Sequence, residues 1–452
     1  MKRTHPASRR IAFRGTLALL AASALGHAQG QRYTEIELVH DGVEYYVGPL
    51  NQDGSIMLVG RGLQPFGIGR WTEAGGIEPL EVLQAFEGRV LASMNGISSD
   101  GSTIVGTYAV SIEPPRVGVF VWTPTSVSTH QVPPPYDGFE LDWVSSNSRY
   151  IVGAATKAGT TGFEIYDPVV WDLNTPVPMM LAVPDTGAPI ADFPQPRTVS
   201  NEGVVAGDLF RTNSSPAFQY SVPARWASGQ DPEELGVLGI DAYQGVSYGW
   251  GSVRAVTPDG AWMVGSGAIE LASGVIRSGA IRWDEQGVPQ SLGMVDPFFE
   301  DDETSTALAV SDDGSVIVGT FRQPDFPGSY RQYFVWTEQD GIRDLAQLVY
   351  DETGVDLSGY EAFGGVFLSG DGRVISAIVH SRDLLPRERS FVFEMTTPCI
   401  ADTNGDGTLS PNDFNAWILA FNNQDPACDQ NGDGDCRQND FNAWILNFNA
   451  GC

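Results

Sequence analysis

The chain has 452 residues, 26 of them Lys or Arg and 56 Asp or Glu, with a formal net charge of −30. Such a field repels nucleic acid and anionic membranes and favours cations or basic partners, so nucleic-acid binding is not expected. No apolar run approaches the ~20 residues a membrane span needs, so membrane insertion is not expected either.

The N-terminus carries Lys2, Arg3, Arg9, Arg10 and Arg14, then the apolar run Leu17 to Leu25, then Gly26-His27-Ala28. A basic segment, a short apolar segment and a small-residue end are the parts of an export signal, read here as residues 1–28. Its removal takes away five of the 26 basic residues and leaves a charge of about −35. The expected location is secreted or cell-surface.

Residues 29–395 repeat one phrase. "NQDGSIMLVG" at Asn51 recurs as "SSDGSTIVG" at Ser98, "TPDGAWMVG" at Thr257 and "SDDGSVIVG" at Ser311, with weaker copies at Ser145, Ser200 and Ser369. The turn positions Gly54, Gly101, Ser148, Gly203, Gly260, Gly314 and Gly372 are 47 to 58 residues apart. Each is followed after 17 to 23 residues by an aromatic: Trp71, Trp122, Trp171, Trp226, Trp283, Trp336 and Phe393. Asp-Gly between β-branched runs signals a hairpin. Seven all-β units of this length suggest an all-β, seven-bladed propeller, with six or eight blades or an irregular β-solenoid as alternatives. "YTEIELVH" from Tyr33 is placed to complete the last blade. The aromatics are read as packing between sheets; a row of sugar-stacking platforms would require them exposed on one rim. The words "FVWT" and "DGSVIVG" resemble the HAF-type repeats of secreted bacterial proteins, a family without a settled activity.

Catalytic signals are sparse. "GVSYG" at Gly245 fits the pattern of a serine nucleophile, which requires a strand-to-helix elbow, but here it lies between repeats. After the signal only His40, His130 and His380 remain, with no zinc-ligand spacing. The acidic run Glu300 to Glu303 reads as a solvated loop, and a segment such as Pro324 to Tyr330 as ligand-binding loop territory. Paired carboxylates for glycoside hydrolysis cannot be chosen among so many acids.

Residues 396–452 say one thing twice: "DTNGDGTLSPNDFNAWILAF" from Asp402 and "DQNGDGDCRQNDFNAWILNF" from Asp429. Calcium takes six to eight oxygens, which a twelve-residue loop supplies from alternating positions. The first loop offers Asp402, Asn404, Asp406, the carbonyl of Thr408, and Asp413 at position twelve. The second offers Asp429, Asn431, Asp433, Asp435 and Asp440. Two calcium ions are expected. Both loops close with aspartate where the usual pattern has glutamate. Phe414, Trp417, Ile418 and Phe421 then fall on one helix face, repeated by Phe441, Trp444, Ile445 and Phe448. Ser410-Pro411 supplies a cap and a first-turn proline. All four cysteines, Cys399, Cys428, Cys436 and Cys452, lie in this segment. They suggest two disulfides in one of three pairings, with Cys428–Cys436 and Cys399–Cys452 preferred.

This loop-then-helix pair resembles dockerin type I, and the terminal Gly451-Cys452 with its cysteine-flanked loops resembles the GC-type variant. The resemblance implies that calcium folds the module and that its helices meet a cohesin-like domain or surface scaffold protein, with Trp417, Ile418, Trp444 and Ile445 as the partner-binding face. The near-identity of the halves suggests docking in either of two orientations. The propeller is then expected to be a binding or display domain, with glycan as a candidate ligand. The alternatives are a dockerin-borne enzyme of polysaccharide degradation, hydrolase or lyase, and a structural surface-layer component.

Overall fold

The computed structural model describes residues 32–450, apart from 37, 41–42, 61–67, 81–90, 113–114, 132, 135, 158–165, 176, 183–192, 215–216, 228–229, 272, 296–303, 324–329, 383–387, 396–400, 405–408 and 432–434. The chain divides into two compact units, one of residues 31–397 and one containing 398–452. The signal segment, the Glu300 to Glu303 run and most of the Pro324 to Tyr330 loop lie outside the described residues.

The larger unit is a seven-bladed β-propeller. Seven four-stranded antiparallel sheets span 46–79, 91–130, 136–180, 193–234, 251–291, 304–344 and 360–394, numbered here as blades 1 to 7. The fourth strand of blade 7 comes from the other end of the unit: Arg32–Ile36 pairs with Glu388–Glu394, Tyr33 opposite Phe393. That exchange ties the last blade to the start of the unit and so closes the ring.

The repeated phrase builds one turn seven times. The opening Ser, Thr or Asn side chain accepts from a backbone N–H further along the turn, as in Ile56 N to Asn51 Oδ1, Thr103 N to Ser98 Oγ and Val374 N to Ser369 Oγ, each 2.9 Å. The Asp at the third position accepts from the N–H two residues on, as in Ser102 N to Asp100 Oδ1, 2.9 Å, and Ser315 N to Asp313 Oδ1, 3.0 Å. The next position is left-handed, with glycine φ between 70 and 80° in six copies. In blade 3 it is Ser148, at φ 55°.

Neighbouring turns are stitched together. Gln52 N donates to Ser99 O, Ser99 N to Ser146 O, Asn201 N to Pro258 O, Asp312 N to Gly370 O and Asp371 N to Gln52 O, at 2.7 to 2.9 Å. Asn147 N donates to the Asn201 side chain at 2.8 Å. The step from blade 5 to blade 6 lacks this link because Pro258 has no N–H to give.

Apolar side chains fill the seven clefts between successive blades, one cluster to each cleft. The periodic aromatics belong to these clusters: Trp171, Trp226, Trp283 and Phe393 are at most 1% exposed, and Trp71 and Trp122 are half-buried. They are packing residues. A further aromatic grouping lies elsewhere, where the half-buried Phe218 stands 5.1 Å from the exposed Tyr243 and 5.0 Å from the half-buried Tyr248, ring centre to ring centre.

A helix, α1 (Leu345–Thr353), follows the last strand of blade 6, Gly341–Asp344, within a unit that the repeats suggest is all-β. Asp344 caps it, Gly354 ends it, and Leu345, Leu348 and Val349 enter the cleft between blades 6 and 7. An N-cap, a left-handed terminator and the i, i+3, i+4 spacing are together enough for one short helix.

The smaller unit holds α2 (Pro411–Asn423), a 3₁₀ turn at Pro426–Cys428, and α3 (Gln438–Ala450). Ser410 and Asp413 form a reciprocal capping box at the start of α2. Cys428 and Cys436 are disulfide-bonded, Cα atoms 5.6 Å apart. Cys399 and Cys452 lie outside the described residues.

Candidate functional sites: two acidic loops and an axial cavity

In the smaller unit the two loop-closing aspartates are fully buried, Asp413 and Asp440 both at 0% exposure. Asp413 Oδ1 accepts from Asn404 N at 3.3 Å and its Oδ2 from Ser410 N at 2.7 Å. Asp440 Oδ1 accepts from Gln430 N at 3.1 Å and Asn431 N at 3.3 Å, and its Oδ2 from Arg437 N at 2.6 Å. Each carboxylate therefore ties the beginning of its own loop to the helix that ends it. Asp402, Asn404, Asp429, Asn431 and Asp435 are at the expected loop positions, Asp435 paired with Arg437. Asp406, Thr408 and Asp433 lie outside the described residues.

The two halves exchange equivalent contacts. Trp417 Nε1 donates to Cys428 O at 3.1 Å, at the residue before the second loop. Trp444 Nε1 donates to Ala401 O at 3.3 Å, at the residue before the first. Both tryptophans are core residues, 5% and 6% exposed, in a cluster with Ala401, Ala420 and Cys428. Their place on a partner-binding face is corrected accordingly: an indole this large is the best available filler for a core this small. The outward apolar residues are Ile418 and Leu419 on α2 and Phe441, Ile445 and Leu446 on α3, with both leucines above 60% exposed.

The propeller carries a second site, which the sequence reading did not single out. A cavity of about 360 Å³ lies on the axis and is lined by the innermost strands and turns of all seven blades. Its geometry follows from a repeated defect. Every innermost strand slips register, and in blades 2 to 6 one such slip leaves a residue unpaired three positions before the turn: Asn95, Asp142, Arg197, Arg254 and Leu308. All five line the cavity. A bulge re-aims one side chain, and here it does so toward the axis. The glycine of the repeated "VG" ("AG" in blade 4) on the second strand makes room for it. A Cβ at Gly153 would stand 1.9 Å from Glu140 O, at Gly265 1.9 Å from Ser252 O, and at Gly207 2.2 Å from Gln195 O. Those carbonyls lie two residues before Asp142, Arg254 and Arg197.

The cavity wall is uneven. At the bulge column blades 2 to 5 give Asn95, Asp142, Arg197 and Arg254, beside apolar residues such as Ile97, Val144 and Val256, whereas the inner strands of blades 6, 7 and 1 give Leu308, Val310, Val366, Phe367 and Leu50, with Gln52 and Asp312 at their turn end. Asn95 Nδ2 donates to Leu141 O at 2.9 Å, across two blades. Arg197 lies 3.9 Å from Asp142 Oδ1 and 3.5 Å from Asp208 Oδ2, and it also donates to Gln195. Asp208 Oδ1 accepts from Val253 N at 3.2 Å. Burial pushes the Asp142 carboxyl up to about 6, against the pull of Arg197, with Glu140 and Asp208 adding to the rise. Asp208 is also raised, by burial. Burial and then the neighbouring Arg197 charge lower Arg254. At the turn end, Asp312 is raised by burial while hydrogen-bonded to Gln52.

Two other sequence candidates resolve differently. Ser247 pairs with Ala242 in a two-stranded ribbon, Asp241–Tyr243 with Val246–Tyr248, which is no strand-to-helix elbow. His130 and His380 stand in blades 2 and 7, each edge-on to an aromatic ring, Trp171 and Phe363 respectively.

No family model matches the chain, and no curated protein does. Among solved structures, oligogalacturonate lyase in complex with manganese is 13% identical and covers 81% of this chain and 97% of its own, with a TM-score of 0.48. TolB from Acinetobacter baumannii is 11% identical, covering 77% and 79%, with a TM-score of 0.34. An acylaminoacyl peptidase from Pyrococcus horikoshii is 13% identical, covering 76% and 52%, with a TM-score of 0.46. The likeness is one of fold alone.

Proposed function

We propose that this is an exported propeller protein attached to a larger assembly through a calcium-dependent, dockerin-like C-terminal unit, with the propeller as the binding or display body. The observation that carries the reading is the pair of fully buried aspartates, Asp413 and Asp440, each holding the start of an acidic loop. Ionised carboxylates are costly to bury unless strongly hydrogen-bonded or paired with a cation. The donor set fits calcium: carboxylate, amide and carbonyl oxygen only, in the order a twelve-residue loop uses. Asp402, Asn404, Asp406, the Thr408 carbonyl and Asp413 would hold one ion; Asp429, Asn431, Asp433, the Asp435 carbonyl and Asp440 would hold the other. When bound, each ion neutralises its loop and supplies the positive charge that the loop lacks. The chain's own work is done by the two aspartates, which fix loop to helix, and by the two indoles, which lock each half onto the other.

The reciprocal Trp417 and Trp444 contacts make the halves near-equivalent. Ile418-Leu419 and Ile445-Leu446 accordingly present two similar apolar faces. A cohesin-like partner would meet either face, with one copy of the propeller displayed per docking event. The test is surface plasmon resonance of the full chain on immobilised cohesin domains, in calcium and in EGTA. Calcium-dependent binding that survives mutation of either leucine alone, Leu419→Asp or Leu446→Asp, and is lost in the double variant is expected. Equal binding in EGTA, or none to any cohesin domain, would refute the attachment reading.

A further inference from the structure

We propose that the axial cavity is a binding site for a small carboxylic acid with an apolar body, the carboxylate meeting Arg254 and the body lying against the wall of blades 6, 7 and 1. The proposal rests on the propeller being the binding body and deepens that reading; it is independent of the calcium loops.

Three features carry it. The first is an unequal distribution of partners. Arg197 has Asp142, Asp208 and Gln195 around it, whereas the Arg254 guanidinium makes neither an ion pair nor a hydrogen bond among the described residues. Arginine offers five donors in a planar fork matched to carboxylate, and the half-buried Arg254 fork has those donors open to the cavity, while on Arg197 the buried Nε lacks a hydrogen-bond partner among the described residues. The second is shape. A cavity of about 360 Å³ is at the small end of the ~300–1,000 Å³ range of ligand pockets, which suits a compact acid and not a polymer. The third is the uneven wall. Asn95, Asp142, Arg197 and Arg254 follow one another around one arc, and the inner strands of the other arc bring the apolar Leu308, Val310, Val366, Phe367 and Leu50, its polar residues Gln52 and Asp312 lying at the turn end. A sugar or inorganic anion would leave that second arc in contact with nothing apolar.

The placement is built by the repeat itself. The bulge column is the inner-strand position at which charged and polar side chains line the cavity in four successive blades, so its residue types bear on the ligand while the turns and aromatic columns set the scaffold. Position and chemistry coincide at Arg254. Its burial and the adjacent Arg197 charge disfavour the charged guanidinium by more than the Asp208 and Asp142 carboxylates favour it, a cost that an anionic ligand would offset.

The test is isothermal titration calorimetry of the full chain at constant calcium, with benzoate and hexanoate as probes and benzamide and hexanamide as their neutral counterparts. The expected result is one-site binding of the acids, at least tenfold weaker binding of the amides, and at least tenfold weaker acid binding by Arg254→Gln. A second variant guards against an unfolded one: Asp142→Asn removes negative charge beside the guanidinium pair and is expected to strengthen acid binding about threefold. Acids and amides binding alike, acid affinity indifferent to both substitutions, or no heat from either acid would overturn the proposal. Because calcium is the same in every arm, any of these results leaves the docking experiment untouched.

Discussion

The two units use repetition in opposite ways. In the propeller the seven copies agree where they build structure, at the turn-opening hydroxyl or amide, the left-handed residue and the aromatic of the third strand. They disagree at the bulge, where Asn95, Asp142, Arg197, Arg254 and Leu308 occupy equivalent places. In the smaller unit the two copies agree at the loop positions proposed as ligands and in the outward residues of both helices. A ring needs identical joints and gains an asymmetric centre only if one column is free to vary. A two-fold docking module gains from having both faces alike. The difference teaches where to look for specificity: in the propeller at the place where the repeats diverge, in the tail at the place where they coincide.

The sharpest way to break this comparison is at the buried aspartates. Asp440→Ala strands three backbone N–H groups, of Gln430, Asn431 and Arg437. At about 1–3 kcal/mol for each buried unsatisfied group, the loss approaches the whole stability of so small a unit. We expect the tail to become protease-sensitive while residues 32–395 stay resistant. Limited proteolysis with mass spectrometry reads both outcomes, and a tail that stays resistant would count against the role given to Asp440.

The next effect lies in the propeller's divergent column and carries a sign. The Asp142 carboxyl is raised to about 6 by burial, faced by Arg197, Glu140, Asp208 and Arg254, whereas an unfolded aspartate titrates near ~3.9. The folded state therefore holds an extra proton between those values. The stability this contributes is complete below about pH 4 and is lost as pH rises through 6. Asp142→Asn should unfold at higher denaturant concentration than the parent at pH 8, by on the order of 2 kcal/mol, and the gap should shrink toward pH 4. Guanidinium melts at the two pH values check it; a variant destabilised at pH 8 would show that the Arg197 pairing outweighs the burial cost.

The smallest effect tests the shared scaffold. Ser148 takes the left-handed position that glycine fills in the other six turns, and its hydroxyl is buried without a hydrogen-bond partner among the described residues. Ser148→Gly should stabilise by about 1 kcal/mol, since it removes both the backbone strain and the unsatisfied hydroxyl. A rise in denaturation midpoint with unchanged slope is the expected readout.

Much of the scaffold was legible in the sequence, because a turn needs particular residues at fixed offsets and the phrase repeats them. The aromatic column was legible for the same reason. The cavity was not. A strand side chain alternates with period two, and a bulge resets that alternation at one residue. Asn95, Asp142, Arg197 and Arg254 therefore read as stray polar residues beside apolar ones. Each lies three residues before its turn-opening Ser or Thr, at Ser98, Ser145, Ser200 and Thr257. That column, aligned across repeats, is polar in four successive copies and would have been the available signal. The burial of Trp417 and Trp444 was hidden by a different ambiguity: helix periodicity groups the apolar residues of one face without saying which of them the other half of the unit will cover.

The central claim is that calcium orders the tail and leaves the propeller alone. Differential scanning calorimetry of the full chain in calcium and in EGTA, beside a chain ending at residue 395, tests it most directly. Two transitions are predicted in calcium, with chelation removing or lowering only the one that the shortened chain lacks. Superimposable traces with and without the ion would contradict the account.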